Sequence, residues 1–364
     1  MRIGINLLFL IPGKVGGTET FTRGVVDALS VYDRDNSYVL FCNKENFETF
    51  RESGSIKKVM LPVPASNKPF RIIFEQLFFW YYVYKYKIEL LHSFGYISPF
   101  FVPCRSVVNI FDLNWYYHPE DFGLVERNIW KFLVSNSAKF ADSITTSSYS
   151  SKKSIKKILN VNKSINVIYP GLFELSPPGN FKIIEEIGVR KPYFFSLSAA
   201  YPHKNLMGLL KSFTKVLERG YDAQLVIAGL GGRSLPAVES YIKKTKLEEK
   251  VKIIGWVEGK IMSTLYKYSL AFVFTSFYEG FGVPILECFR LGVPIISSNA
   301  FSLNEVIGNG GVKLDPKDEA KFSDEMVKVL TNKNYREKLV FLSKKRGPAF
   351  NWEKTVLSLK RVYK

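Results

Sequence analysis

Two glutamates lie eight positions apart in the stretch Phe277–Ser298, FYEGFGVPILECFRLGVPIISS, with a glycine loop and a proline between them. Proline suits the first turn of a helix, where its missing N–H is not needed. PILECFRLG therefore reads as a helix from about Pro284 to Leu291, closed by Gly292. The runs LAFVFTS before it and VPIISS after it are apolar and β-branched, as strands are. The unit is strand, glycine loop, helix, strand, and a helix N-terminus with flexible glycines binds anions readily. Carboxylates beside an anion site call for a ligand that carries both phosphate and hydroxyl groups, and a nucleotide sugar has both. Glu287 can accept two hydrogen bonds from a vicinal diol such as ribose. Glu279 can accept from sugar hydroxyls, while Gly280, Phe281 and Gly282 offer backbone donors.

A second constellation is SAAYPHKNL, Ser198–Leu206. Pro202 starts a turn and Asn205 is placed to cap the next helix. A cation at a helix start is disfavoured without an anion nearby, so Lys204 points to a bound diphosphate, with His203 as a weaker candidate. A third is PGKVGGTETF, Pro12–Phe21, between a first strand and a first helix. Gly16 and Gly17 can bring backbone N–H groups close to a diphosphate. The loop lacks both GxGxxG and GxxxxGK[ST], which argues against an NAD-dependent oxidoreductase and a Walker-type ATPase. The acidic DRD of Asp33–Asp35 sits in YDRDNSY, a turn composition, and reads as a solvated turn.

The elements that must position these residues alternate. RIGINLLFL precedes a helix from about Thr18 to Tyr32; SYVLFC, KIELLHS, SVVNIFD, ADSITTS and INVIYPG follow as strands with helical segments between. Pro177–Pro178–Gly179 interrupts the pattern, and the alternation then restarts with PYFFSLS. The fold expected is α/β: two Rossmann-like domains facing an interdomain cleft at the strand C-termini, over residues 1–170 and 192–345, with a linker over 171–191 and a C-terminal helix over 346–364.

Length and composition agree with two globular domains: 364 residues, 46% hydrophobic and 23% charged. The N-terminal apolar run is short, contains Gly4 and Asn6 and ends in Pro12–Gly13, so it reads as a first strand rather than a signal peptide. No run of about 20 apolar residues exists to cross a membrane. Cys42, Cys104 and Cys288 are scattered, as are His92, His118 and His203, so neither a disulfide framework nor a metal site is indicated, and a reduced cytoplasmic setting is expected. The formal charge of +18 suggests an anionic partner. No nucleic-acid-binding motif accompanies it. The aromatic stretch Phe78–Tyr86 and the lysines of Ser151–Lys163 instead suggest peripheral contact with an anionic membrane, on the inner face of the cytoplasmic membrane.

Taken in order, these motifs closely resemble the GT-B glycosyltransferases of family 4, the retaining "glycosyl transferases group 1", in a branch similar to bacterial mannosyltransferases of polysaccharide assembly. SFYEGFGVPILECFRLGVPIISS resembles the family's E-x7-E signature, and GGTETF its N-terminal glycine loop. LLHSFGYISPF, FDLNWYYHPE and ADSITTSSYSSK resemble consecutive N-domain segments, and NVIYPG the linker strand. HKNL resembles the phosphate-lysine motif, and LVIAG, VKIIGWV and SLNEVIGNGGVKLDP complete the C-domain order. The resemblance implies that Glu287 holds ribose, Glu279 the donor sugar, Lys204 the diphosphate, Gly16 and Gly17 the phosphate side, and that Trp256 and Val257 flank the base, with Val283 at the start of the donor-site helix. It implies a nucleotide-sugar co-substrate on a GDP or UDP carrier, a saccharide or lipid-linked acceptor, and neither metal nor cofactor. Phe111 precedes Asp112 where relatives often carry histidine, which assigns donor-sugar selectivity to Phe111 and His118 and a catalytic place to Asp112. No arginine accompanies Lys204 in SAAYPHKN. A non-catalytic nucleotide-sugar-binding partner subunit is the alternative reading.

Overall fold

Strands separated by helical crossovers pair in parallel, because each connection must pass over one face of the sheet. The computed structural model describes residues 1–229 and 231–364, and among them the strands form two parallel sheets. The chain divides into one unit of Met1–Gly171 with Phe350–Lys364 and a second of Leu172–Ala349.

Unit 1 is built on β1 (Arg2–Asn6), β2 (Ser37–Cys42), β3 (Ile56–Met60), β4 (Leu90–Ser93), β5 (Arg105–Asn109), β6 (Ser143–Thr146) and β7 (Ile165–Val167), in the order β3-β2-β1-β4-β5-β6-β7. Its helices are α1 (Gly17–Tyr32), α2 (Lys68–Leu77), α3 (Phe79–Lys85), α4 (Asn114–Tyr117), α5 (Leu124–Phe140) and α6 (Tyr149–Ile158). The period of two along a strand splits its side chains between the faces. On β2, Tyr38, Leu40 and Cys42 join the core shared with α1, whereas Val39 and Phe41 join the one beneath α2 and α3.

Unit 2 carries β8 (Tyr193–Leu197), β9 (Gln224–Ala228), β10 (Val251–Ile254), β11 (Phe272–Phe274), β12 (Ile295–Ser298) and β13 (Val312–Leu314), ordered β10-β9-β8-β11-β12-β13. Its helices are α7 (Lys182–Glu185), α8 (Leu206–Glu218), α9 (Leu235–Lys244), α10 (Gly259–Tyr268), α11 (Val283–Leu291), α12 (Leu303–Ile307), α13 (Glu319–Thr331) and α14 (Lys333–Arg346). The last helix, α15 (Trp352–Tyr363), returns to unit 1, where Val356, Leu359, Val362 and Tyr363 are buried in the core of β1 and α1.

Three features differ from the sequence reading. From Leu172 onward the segment expected as a linker belongs to unit 2: the Gly179 amide donates to Thr264 Oγ1 at 2.8 Å, and Ile184 and Val189 are buried. The DRD turn is not solvated throughout. Asp33 is fully buried and accepts from Tyr38 Oη at 2.5 Å and from Asn36 Nδ2 at 2.8 Å, with Lys360 of α15 at 3.4 Å. Burial alone would raise its carboxyl, but the hydrogen bonds from Asn36 and Tyr38 outweigh it and hold the group below its usual range. The sequence pattern does not mark the strands β3 and β13. The aromatic stretch lies in α2 and α3, which meet at Phe78.

Candidate active site

Strand order in unit 2 reverses between β8 and β11, and open α/β sheets bind ligands in the crevice at such a reversal, beyond the strand C-termini. The loop after β8 carries Lys204 and the loop after β11 carries Glu279. Lys204 Nζ donates to Glu279 Oε1 at 2.7 Å, and Ser276 Oγ donates to the same oxygen at 2.9 Å. The pair is nearly enclosed, with side chains 21% and 10% exposed. The two loops are stitched together by the Phe277 amide, which donates to the His203 carbonyl at 2.7 Å.

Asn205 anchors the arrangement. It adopts φ 52°, a left-handed conformation that asparagine tolerates, and its Oδ1 caps α8 by accepting from the Gly208 amide at 3.2 Å. Its Nδ2 donates to the carbonyls of Thr275 (3.1 Å) and Pro316 (2.8 Å), while Thr275 Oγ1 donates back to the Asn205 carbonyl at 2.9 Å. Ser302 Oγ holds the Glu279 carbonyl at 2.6 Å. Gly282 then starts α11 at φ 91°, where a Cβ would stand 2.7 Å from Leu303 Cδ2, so only glycine fits. Phe281 is buried beside it, Val283 is the first helical residue, Pro284 lies in the first turn and Gly292 closes the helix at φ 69°. The N-terminal end of α11 thus follows Glu279 and Gly280 directly.

Glu287 stands on α11 near Tyr266 of α10, apart from the Lys204–Glu279 pair. Burial pushes its carboxyl up to about 7, against the lowering influence of the Tyr266 hydroxyl. Glu287 Oε2 and Tyr266 Oη are both shielded from solvent, and neither has a hydrogen-bond partner of good geometry. The Tyr266 hydroxyl is the donor that faces this carboxylate within the chain.

The remaining expected residues are more dispersed. His203 is buried with its ring stacked on Tyr201, centroids 6.0 Å apart. Trp256 and Val257 occupy a different loop, after β10, with Trp256 67% exposed. A residue missed in the sequence is Arg233. Its loop is pressed onto the one leading to Lys204: the Ala200 amide donates to the Gly231 carbonyl and the Ser234 amide to the Ala200 carbonyl, each at 2.7 Å. A Cβ on Gly232 would lie 2.6 Å from the Ala200 carbonyl oxygen, so this approach also requires glycine. Arginine is absent from SAAYPHKN, but the loop that follows the neighbouring strand β9 carries one, Arg233.

In unit 1, Gly16 (φ 57°) precedes α1 and Gly17 begins it. The loop is closed by its own helix, because the Gly13 amide donates to Glu19 Oε2 at 2.8 Å. Asp112 accepts from the Asn114 amide at 3.1 Å and from Tyr96 Oη at 3.4 Å. Phe111 is packed in the core, its ring edge-on to Phe21 at 5.1 Å and tilted against Tyr96 at 5.5 Å. His118 lies further along, with Nδ1 2.9 Å from Glu120 Oε1. Among the described residues no group of His, Cys, Asp and Glu is arranged to hold a metal ion.

With this geometry in view, the comparisons with known proteins are specific. Residues 180–346, which contain Lys204, Arg233, Glu279 and Glu287, match the family described as glycosyl transferases group 1. That stretch is a glycosyl transferases group 1 domain. O-antigen chain mannosyltransferase B of Escherichia coli is 26% identical to this chain over 293 residues, covering 77% of this chain and 75% of its own. O-antigen chain mannosyltransferase RfbU of Salmonella typhimurium is 26% identical over 288 residues, 77% and 78% of the two chains. Among solved structures, sucrose-phosphate synthase of Thermosynechococcus elongatus superposes with a TM-score of 0.79 at 16% identity, over 100% of this chain and 98% of its own. WaaG, a glycosyltransferase involved in lipopolysaccharide biosynthesis, superposes with a TM-score of 0.71 at 12% identity, over 98% and 99%. The chain therefore has the GT-B fold, with both of its parallel Rossmann-like sheets accounted for.

Proposed function

We propose that the chain transfers a sugar, with retention of anomeric configuration, from a GDP- or UDP-linked donor to a glycan or lipid-linked saccharide in surface polysaccharide synthesis. The observation that carries the proposal is the nearly buried Lys204–Glu279 pair at the strand reversal of unit 2, at the start of α11. The relatives named as O-antigen mannosyltransferases support the substrate class.

In the proposed cycle the donor diphosphate takes over the charge of Lys204, joined by Arg233 and by the amide end of α11. Glu279 is then freed to accept hydrogen bonds from the donor sugar. Glu287 accepts from the ribose diol. Trp256 and Val257 flank the base. The bond from the sugar C1 to the diphosphate oxygen breaks, and the growing negative charge meets fixed cations and amides in a site with little water. The acceptor oxygen bonds to C1 on the same face and its proton passes to a diphosphate oxygen. No metal takes part in this scheme, so chelators leave the rate unchanged. Free, shielded thiols at Cys42 and Cys288 suit a reducing cytoplasm.

Purified chain incubated with a panel of nucleotide sugars and saccharide acceptors tests the reading. Nucleoside diphosphate release with a product of unchanged anomeric configuration is expected. Donor binding without transfer or hydrolysis across the panel would instead support a non-catalytic nucleotide-sugar-binding subunit.

A further inference from the structure

Large apolar side chains on the surface are divided very unevenly. Of the 24 that are exposed among the described residues, 21 belong to unit 1 and three, Tyr201, Trp256 and Phe341, to unit 2. Scattered exposed hydrophobes need no explanation, but a contiguous patch does. Phe70, Ile73 and Leu77 are exposed at helical spacing on one stripe of α2, Trp80 and Tyr84 at helical spacing on α3, and Trp80 Nε1 donates to the Leu77 carbonyl at 3.0 Å, which joins the two. Val125, Ile129 and Phe132 repeat the pattern on α5.

The stripes are connected. Gln76 of α2 donates to the Ser98 carbonyl at 3.3 Å and accepts from the Phe100 amide at 3.0 Å. The Phe100 ring packs against Phe132 and Phe140 of α5, with centroids 6.2 and 5.5 Å apart, and exposed Phe101 follows it. Both stripes also share one face of the sheet. Leu91, under α2–α3, and Ser93 point the same way from β4, and Ser93 pairs in register with Val108, under α5 and α6. The four helices on this face, α2, α3, α5 and α6, carry ten basic and two acidic side chains, so they hold eight of the chain's eighteen net positive charges. Lys153, Lys156 and Lys157 are exposed on α6.

We infer that this face of unit 1 is a docking surface for an anionic lipid bilayer. Trp and Tyr present an apolar body and a polar tip, which suits the headgroup layer, and exposed Trp80, Tyr81 and Tyr84 have that character. An apolar stripe flanked by lysines matches a surface that is apolar beneath and negative above. No helix among the described residues is long and apolar enough to cross a membrane, so the contact is peripheral.

Co-flotation of the full chain with phosphatidylcholine vesicles, with and without phosphatidylglycerol and at low and high salt, tests the inference. Wild type floats with the anionic vesicles at low salt, and a residual fraction stays bound at high salt. The triple variant Ile73→Ser, Leu77→Ser, Phe132→Ser loses that residual binding and partitions at least about tenfold more weakly throughout. The triple variant Lys153→Ser, Lys156→Ser, Lys157→Ser loses about a hundredfold on anionic vesicles only. Unchanged melting temperatures show that both variants are folded, since every substituted side chain is exposed. Absence of flotation at low salt overturns the inference. So does a wild-type dimer that the apolar variant renders monomeric while neither protein floats, because the patch then covers a second copy of the chain.

Discussion

Lys204 is placed to exchange one anion for another. Within the chain its partner is Glu279, and in the proposed cycle it is a diphosphate. Removing one member of an enclosed ion pair strands the other. Lys204→Ala is therefore expected to lower stability by about 1–3 kcal/mol, with much of the loss recovered in the double variant Lys204→Ala, Glu279→Gln. Glu279→Gln alone keeps the fold and lowers kcat/KM by an amount on the order of 1.5–3 kcal/mol, because a charged acceptor becomes a neutral one. Thermal melts and steady-state kinetics of the three variants check this, and additive stability losses would break the link. Glu287 has a pH signature. Its carboxyl titrates near 7 in the folded chain, against an ordinary value of 4.5. Between those values the folded state holds a proton that the unfolded state has released, so stability falls as pH rises, by about 1.4 kcal/mol per unit from this group. Glu287→Gln should accordingly stabilise the chain at pH 8 and have little effect at pH 5. Nucleoside diphosphate binding, if the ribose diol donates to this carboxylate, releases a proton near pH 6 and tightens as pH rises toward 7. Calorimetry in two buffers of different ionisation enthalpy reads that release directly.

At the scale of the element, what could be read in advance was local. α11 is legible because Pro284 and Gly292 mark its ends within nine residues, and Asn205 is legible as a cap because it precedes a strong amphipathic run. β3 is not, since Lys57 and Lys58 dilute its apolar pattern at an edge of the sheet. Contacts between distant segments leave no such mark. The Lys204–Glu279 pair, the approach of Arg233 through Gly232, and the burial of Asp33 under α15 all depend on which strands become neighbours. The packing of Phe111 against Phe21 and Tyr96 is likewise set by tertiary neighbours that its motif does not mark. The latch between α15 and β4 is equally non-local. His92 bonds Tyr363 Oη at 2.9 Å and Thr145 Oγ1 at 3.1 Å, and burial lowers its imidazole to about 3. Between pH 3 and the ordinary value of 6.5 the folded chain refuses a proton that the unfolded chain accepts, so stability falls as pH falls through that window. The penalty of His92→Asn is expected to be greatest at pH 7 and to narrow by about 1.4 kcal/mol per unit below 6.5. Urea melts of both proteins across that range measure it, and a constant penalty would contradict the assignment.

On the scale of the whole molecule, unit 1 is assembled from two stretches separated by all of unit 2. A chain ending at Ala349 would leave the core partners of Val356, Leu359, Val362 and Tyr363 open to water. Limited proteolysis of that truncation should degrade residues 1–171 while sparing 172–349, and survival of both halves would show that α15 is dispensable. The same division has a temporal side. A ribosome releases unit 1's seven strands early, yet 196 further residues (363 − 167) lead from Val167 to Tyr363 at the end of α15. At about 5–20 residues per second that is a wait of roughly 10–40 s, during which unit 2 is free to fold and unit 1 stands unsealed. Nascent unit 1 is then a natural client for chaperones, and a message broken anywhere before the codons for residues 352–363 yields no finished first unit.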